Sequence, residues 1–206
     1  MVKLVKDSNF DHEKAAFFMP SGNGPCRFGQ YHRFHRLILD DLGFHHVPVY
    51  SPNQDETLYS DLGIMGSQFT RLGWQGIVAV DLLMKKQLET RPYEKEKGKA
   101  DQVYRESLKR VCEAILKGDD LEKALQESIE NLNRIEVDRL GTKPLIGIVG
   151  EIFVRLNRFD NENVIRKIDQ FGGEAWVAPL TEWILYVNTI AKKRSLKKKS
   201  FSNLLK

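Results

Sequence analysis

Cys26 stands in the run Gly22-Asn23-Gly24-Pro25-Cys26-Arg27-Phe28-Gly29-Gln30-Tyr31. A short apolar run, Ala15 to Met19, precedes it, and residues with helical spacing follow it. The stretch therefore reads as strand, glycine-rich turn and helix start. A helix start leaves backbone N–H groups unpaired and carries the positive end of the helix dipole. A thiol held there is expected to ionise more easily, and the thiolate is the form that binds a metal or enters redox exchange. Gly22 and Gly24 permit positive φ and a close approach of a ligand to the backbone. Pro25 suits the first helical position, where its missing N–H costs nothing. The glycine spacing matches neither a dinucleotide fingerprint nor a P-loop. Read without a ligand, the same residues make a tight turn around a small buried cysteine.

The remaining chemistry-bearing residues are fewer. Cys112 follows Val111 in a helical pattern and is expected in a core. His32 and His35, three apart on the helix after Cys26, fall on neighbouring faces but have no visible fourth partner for a zinc site. His45 and His46 alternate across an expected strand and cannot chelate together. Glu151 and Arg155 follow an apolar run at the carboxyl edge of an expected strand, where ligands bind in open α/β sheets. They read either as a carboxylate and a cation lining a crevice or as an ion pair that pins the loop. Trp74, Trp176 and Trp183 read as core or interface residues.

These residues need a scaffold, and the spacing divides the chain into blocks. Residues 1–93 read as a first α/β lobe. Tyr31, Phe34, Ile38 and Leu42 mark an amphipathic helix that Gly43 ends, and His45 to Tyr50 reads as a second strand before the loop from Ser51 to Asp55. Phe69 to Glu89 reads as one long, largely buried helix. Residues 94–140 carry no strand pattern: Tyr104, Leu108, Val111 and Ile115 mark one helix, Gly118-Asp119-Asp120 a break, and Leu121, Leu125, Leu132 and Ile135 another, an antiparallel pair. Residues 141–190 return to α/β. Leu145 to Val149 reads as a buried strand, Asp160 as the cap of a helix through Val164, Ile168 and Phe171, Ala175 to Ala178 as a strand, and Thr181 as the cap of the last helix. Residues 191–206 form a basic tail. The expected architecture is α/β, two parallel-sheet lobes separated by a helical segment. Two strands per lobe leave each sheet thin, with much edge exposed.

The chain has 206 residues, with 41% hydrophobic and 29% charged, an ordinary globular balance. No apolar run reaches the length of a membrane-spanning helix, and the first residues lack a signal-peptide core. Two distant cysteines do not build a disulfide framework, which favours a cytoplasmic location. The net charge of +4 is concentrated in the tail: removing its seven lysines and arginines from the 32 basic residues leaves 25 against 28 acidic ones. The tail has no interleaved aromatics for stacking on bases, so it reads as a solvated, frayed terminus and not as a nucleic-acid surface.

Three runs in order carry a resemblance: Gly24 to Tyr31, Lys143 to Arg155 and Pro179 to Trp183. They resemble the 2-hydroxyacyl-CoA dehydratase and double-cubane cluster protein family, in particular the dehydratase-like region of long CoA-substrate-specific enzyme activases. The resemblance spans most of residues 13 to 190. It implies two Rossmann-like (flavodoxin-like) lobes, an iron–sulfur cluster held by cysteines from several loops, and an ATP-hydrolysing activator that feeds low-potential electrons into acyl-CoA chemistry. Cys26 matches a family cysteine. Relatives often carry Cys-Gly-Pro-Cys where this chain has Asn23-Gly24-Pro25-Cys26, so one thiol is missing.

Family domains of this kind also extend further on both sides, so the chain is expected to be an internal segment with incomplete lobes. A four-iron cluster takes about four thiolates, and one is in view, so the segment is not expected to turn over alone. The expectation is therefore a metal ligand at Cys26, cofactor-site residues at Glu151 and Arg155, an activator partner, an acyl-CoA substrate for the parent and possible homodimerisation. A docking or oligomerisation module of the same fold, with Cys26 structural, is the alternative. A small flavin- or nucleotide-binding domain is a third reading, weakened by the lack of a phosphate loop.

Overall fold

The computed structural model describes residues 1–24, 26–53, 60–61, 66–138 and 142–204. Pro25, the loop residues Gln54 and Asp55, Lys206 and the side chains of Lys197 to Lys199 lie outside that description. The fold is mixed α/β, about 59% helical, so its sheets are a minor part of it. Each sheet holds two parallel strands. The chain forms two compact units, Met1–Arg71 and Leu72–Lys206.

The first unit contains α1 (Val2–Val5), β1 (Phe17–Phe18), α2 (Phe28–Asp41) and β2 (Val49–Tyr50). Phe17 faces Val49 and Phe18 faces Tyr50 in parallel register, and a bridge between Ser21 and Asn53 extends the pairing. Amides of Phe17, Met19 and Ser21 donate in turn to the carbonyls of Pro48, Tyr50 and Pro52, each at 2.9 Å. Two parallel strands need a crossover, and α2 supplies it. Its C-terminus closes with the Phe44 amide on the Leu39 carbonyl at 2.8 Å and Gly43 at φ +82°. Arg36 clamps the return to β2: its Nη1 donates to the Val47 carbonyl at 2.6 Å, its Nη2 to Phe44 at 2.9 Å, and its Nε to Asp40 at 3.0 Å.

Two expectations change here. His45 and His46 sit in this turn and not in the strand, and His45 Nδ1 lies 3.0 Å from Asp40. Phe34 is 61% exposed, and Leu39, which the stripe omitted, is fully buried. The buried face of α2 is therefore rotated toward Leu39, where it joins Val5 and Val47 in the core.

The second unit is built on α3 (Ser67–Thr90) from Leu72 onward, a 3₁₀ turn (Arg91–Tyr93), α4 (Lys99–Lys117) and α5 (Leu121–Asn133). The long helix and the helix pair form as the spacing predicts, but the long helix is not largely buried: Phe69, Trp74, Val80 and Leu82 are exposed. Gly118 adopts φ +71°, and the Asp120 carboxylate caps α5 by accepting from the Lys123 amide at 3.0 Å. Ala79 and Leu83 of α3 join Val103, Val111 and Leu132 in the main core. Gly76 lets α3 approach α4: a Cβ there would lie 3.3 Å from Ile115 Cδ1. Cys112 is exposed, contrary to expectation. Val103, Ser107, Val111 and Ala114 form the buried stripe of α4, and Cys112 lies one residue, about 100°, away from it.

β3 (Leu145–Ile148), α6 (Ile152–Leu156), α7 (Val164–Gln170), β4 (Glu174–Val177) and α8 (Leu180–Leu204) follow. The strands pair in parallel from Leu145 opposite Glu174 to Ile148 opposite Val177. The expected buried strand is reversed. Ala175 and Val177 of β4 are buried, whereas Leu145 is 57% exposed and Trp176 46%. Phe171 is also exposed. Asn163, with φ 56°, caps α7 in place of Asp160. Thr181 receives a cap instead of supplying one, because its amide donates to the buried Asp81 carboxylate of α3 at 2.8 Å. The expected frayed tail continues α8 as helix to Leu204. Among the described residues, no helix is long and apolar enough to cross a membrane.

Candidate functional site at the mouth of α2

The β1–α2 turn encloses a polar hollow of about 340 Å³. Ser21, Gly22, Asn23 and Gly24 wall it from the turn; Gly29, Gln30, His32 and Arg33 wall it from the first turns of α2. Asn53 closes it from beyond β2, donating from Nδ2 to Asn23 Oδ1 at 2.8 Å. This is the carboxyl edge of a parallel β-α-β unit, with a 14-residue helix starting at it. The first turn of α2 carries no acidic residue, so nothing local offsets its positive end.

Gly29 makes the close geometry possible. A Cβ at that position would fall 2.3 Å from the Gly22 carbonyl oxygen, so the turn and the helix meet backbone to backbone. Cys26 lies in the turn two residues before α2, exposed, and its carbonyl accepts from the Gly29 amide at 3.3 Å. The helix cap is Arg27, without a side-chain cap bond.

His32 Nδ1 is buried with no hydrogen-bond partner. His35, one helical turn on, has its pKa lowered below 6.5, first by burial, then by the amino-terminal charge and by His32. A depressed histidine favours the neutral folded form. Its contribution to stability is present above pH 6.5 and is lost as pH falls toward the lowered folded value. The protection factors of the Leu39 and Val47 amides, with each rate normalised to the intrinsic exchange rate at its pH, should therefore fall between pH 7.5 and 5.5, and His35→Gln should flatten that change. An unaltered pH dependence in the variant would contradict the assignment.

Glu151 and Arg155 belong to the second unit, Cys26 to the first. The Glu151 carboxylate caps α6 by accepting from the Val154 amide at 2.8 Å, and the Arg155 amide donates to the Glu151 carbonyl at 3.0 Å. Arg155 Nε is buried without a partner. The short helix thus brings the two residues together through its backbone. Cys26 itself does not line the hollow, whereas Gln30, Arg33 and Asn53 do without having stood out in the sequence. The glycine-rich turn around Cys26 pointed to their neighbourhood, not to the residues themselves.

Chemically, the hollow offers backbone and side-chain donors, one imidazole and the arginine at 33. Among the described residues, no three His, Cys, Asp or Glu side chains gather to hold a metal ion. One exposed thiol is a single corner of a four-thiolate cluster, so these residues do not make a complete iron–sulfur site on their own. No family model, no curated protein and no solved structure matches this chain.

Proposed function

We propose that this chain is a dehydratase-like segment of an electron-transfer assembly, in which Cys26 supplies one thiolate to an iron–sulfur cluster. The remaining ligands come from outside the chain. An ATP-hydrolysing activator is the electron source, and an acyl-CoA is the substrate class of the whole assembly. Glu151 and Arg155 are assigned to the cofactor and substrate crevice on the resemblance of Lys143 to Arg155 to that family.

The observation that carries the reading is the exposed thiol on the turn between a parallel strand and a 14-residue helix, at a position matching a family cysteine. An exposed sulfur is open to a cluster shared with other ligands. A buried one would have argued for packing alone.

Anaerobic reconstitution with iron, sulfide and an excess of a small thiol, which stands in for the outside ligands, tests this. The wild-type chain should retain cluster absorption after desalting, Cys112→Ser should retain it too, and Cys26→Ser should lose most of it. Equal iron retention by all three chains would overturn the reading.

A second reading has its own support. β3 exposes Leu145 and Ile146 on its two faces, and Val149, Phe153, Phe171 and Trp176 of the same unit are exposed as well. Exposed apolar side chains in this number suit a docking module that binds a second copy of itself or the activator domain. Under that reading Cys26 is structural, and the three reconstituted chains behave alike.

A further inference from the structure

The β3–β4 sheet stops at two strands among the described residues, so β3 has a second edge to offer. The Glu174 amide donates to the Pro144 carbonyl at 2.9 Å, and Leu145 pairs with Glu174 in parallel register. That bond fixes the phase of the ladder. Ile146 and Ile148 turn their backbone groups toward β4, whereas Leu145, Gly147 and the following Val149 turn theirs away. Among the described residues, no backbone group pairs with those outward N–H and C=O groups.

Natural edge strands are usually blunted by a charge, a proline or a bulge. The run Leu145-Ile146-Gly147-Ile148-Val149 carries none of these. Leu145 is 57% exposed and Val149 85%, and both lie on the face of Trp176, the cross-strand neighbour of Gly147. Charge enters only at the two ends, with Lys143 before the run and Glu151 after it. Lys143 Nζ lies 5.9 Å from the centre of the Tyr93 ring, and the Glu151 carboxylate accepts from the Val154 amide, so each charge is held at its own end. Such a strand complements its own reverse. An antiparallel copy sets each lysine end beside a glutamate end, whereas a parallel copy sets like beside like.

We propose that β3 pairs with β3 of a second copy of this chain, antiparallel and about a two-fold axis at Gly147. Leu145 then stands opposite Val149 of the second copy, and Ile146 opposite its Ile148. Gly147 meets its own copy as a hydrogen-bonded pair, each N–H donating to the other's carbonyl, as its outward phase allows. A two-fold pairing of this kind is self-complementary and closes at a dimer. The edge is small beside a standard interface of roughly 1,600 Å², so the dimer is weak, with Kd on the order of 10 µM. The proposal rests on the docking reading of this surface, which it narrows to one edge and one partner; the role of Cys26 does not enter.

Sedimentation velocity of the full chain from about 1 to 200 µM tests it, with near-UV circular dichroism as the check on folding. The wild-type chain should pass from monomer to dimer. Leu145→Lys combined with Val149→Lys sets like charges opposite one another twice and should raise Kd about tenfold or more. Leu145→Lys combined with Val149→Glu sets opposite charges there and should bring Kd to within about threefold of wild type. A wild-type chain that stays monomeric overturns the proposal and self-docking together, and leaves the edge to a strand of another protein. A dimer that the double-lysine variant leaves intact overturns the proposal alone and moves docking to another surface. Equal loss in both double variants overturns the register. If either variant fails to fold, a wild-type dimer of mixed ¹³C-labelled and unlabelled chains decides. It must show an Hα–Hα contact between Ile146 of one copy and Ile148 of the other, and a missing contact overturns the pairing.

Discussion

Gly29→Ala should destabilise the first unit by about 3 kcal/mol, although alanine is the better helix former by about 1 kcal/mol. Position 29 lies in the first turn of α2, and the added methyl would sit 2.3 Å from the Gly22 carbonyl oxygen. That neighbour is backbone, so relief requires the turn or the helix to move. Overlap of this kind typically costs 1–3 kcal/mol or more and outweighs the gain in propensity. Gly24→Ala is the control: a Cβ there meets nothing within 4 Å, and the change should fall within about 0.5 kcal/mol of neutral. Hydrogen exchange at Leu39 and Val47 reads both variants. Comparable protection in Gly29→Ala and wild type would show that the turn and α2 do not meet this way. The same substitution should distort the hollow at the mouth of α2, because Gly22 and Gly29 both line it.

Arg91→Met should cost the second unit about 3–5 kcal/mol. Arg91 is buried between Asp169 at 2.6 Å and Asp101 at 3.7 Å, whose side chains are 16% and 13% exposed. Removing the cation leaves carboxylates with too little water and too little positive charge. A compensating double variant, Arg91→Met with Asp169→Leu, should recover most of the loss, since an apolar pair of similar size tolerates burial better than one stranded charge.

The pH dependence follows from Asp101. Burial raises its pKa, but the hydrogen bond and charge of Arg166, the charge of Arg91 and the Gln87 contact outweigh it, and the net shift is downward. A depressed carboxyl contributes stability above its unfolded pKa, and that contribution is lost as pH falls through the folded one. The second unit should therefore weaken below about pH 4, and Arg91→Met should weaken that pH dependence. All three tryptophans, Trp74, Trp176 and Trp183, lie in this unit, so urea denaturation followed by their fluorescence reports it alone. A single variant as stable as wild type would contradict the network.

The helices were legible in the sequence because their periodicity extends over many residues. Phe69 to Glu89 and the pair around Gly118 emerge where spacing and breaker residues place them. The turn before α2 was legible through its glycines. What spacing did not reveal was which face a neighbour would cover. Phe34 and Cys112 were placed inward by their stripes and lie outside, because Leu39 and Val111 occupy the contact directions. The run from Leu145 to Val149 has the composition of a buried strand, yet within two-stranded β3–β4 it stays largely exposed.

Long-range capping was also invisible. Asp81 reaches Thr181 across 100 residues, and Glu94 holds the start of α4 by accepting from the Gly98 and Ala100 amides at 2.7 Å each. No local pattern encodes such partners. Of the candidate site, the sequence supplied Cys26 and the glycines, while Asn53 and Arg33 emerged only when β2 and α2 were brought to the same edge.

The most direct test of the central proposal is electron–nuclear double resonance on the reduced, reconstituted Cys112→Ser chain, with its cysteine labelled with ¹³C at Cβ. Only Cys26 then carries the label, since the added thiol is unlabelled. A hyperfine coupling from that carbon to the cluster is the predicted result. A reduced cluster without the coupling, or a chain that retains no cluster, would contradict a ligand role for Cys26.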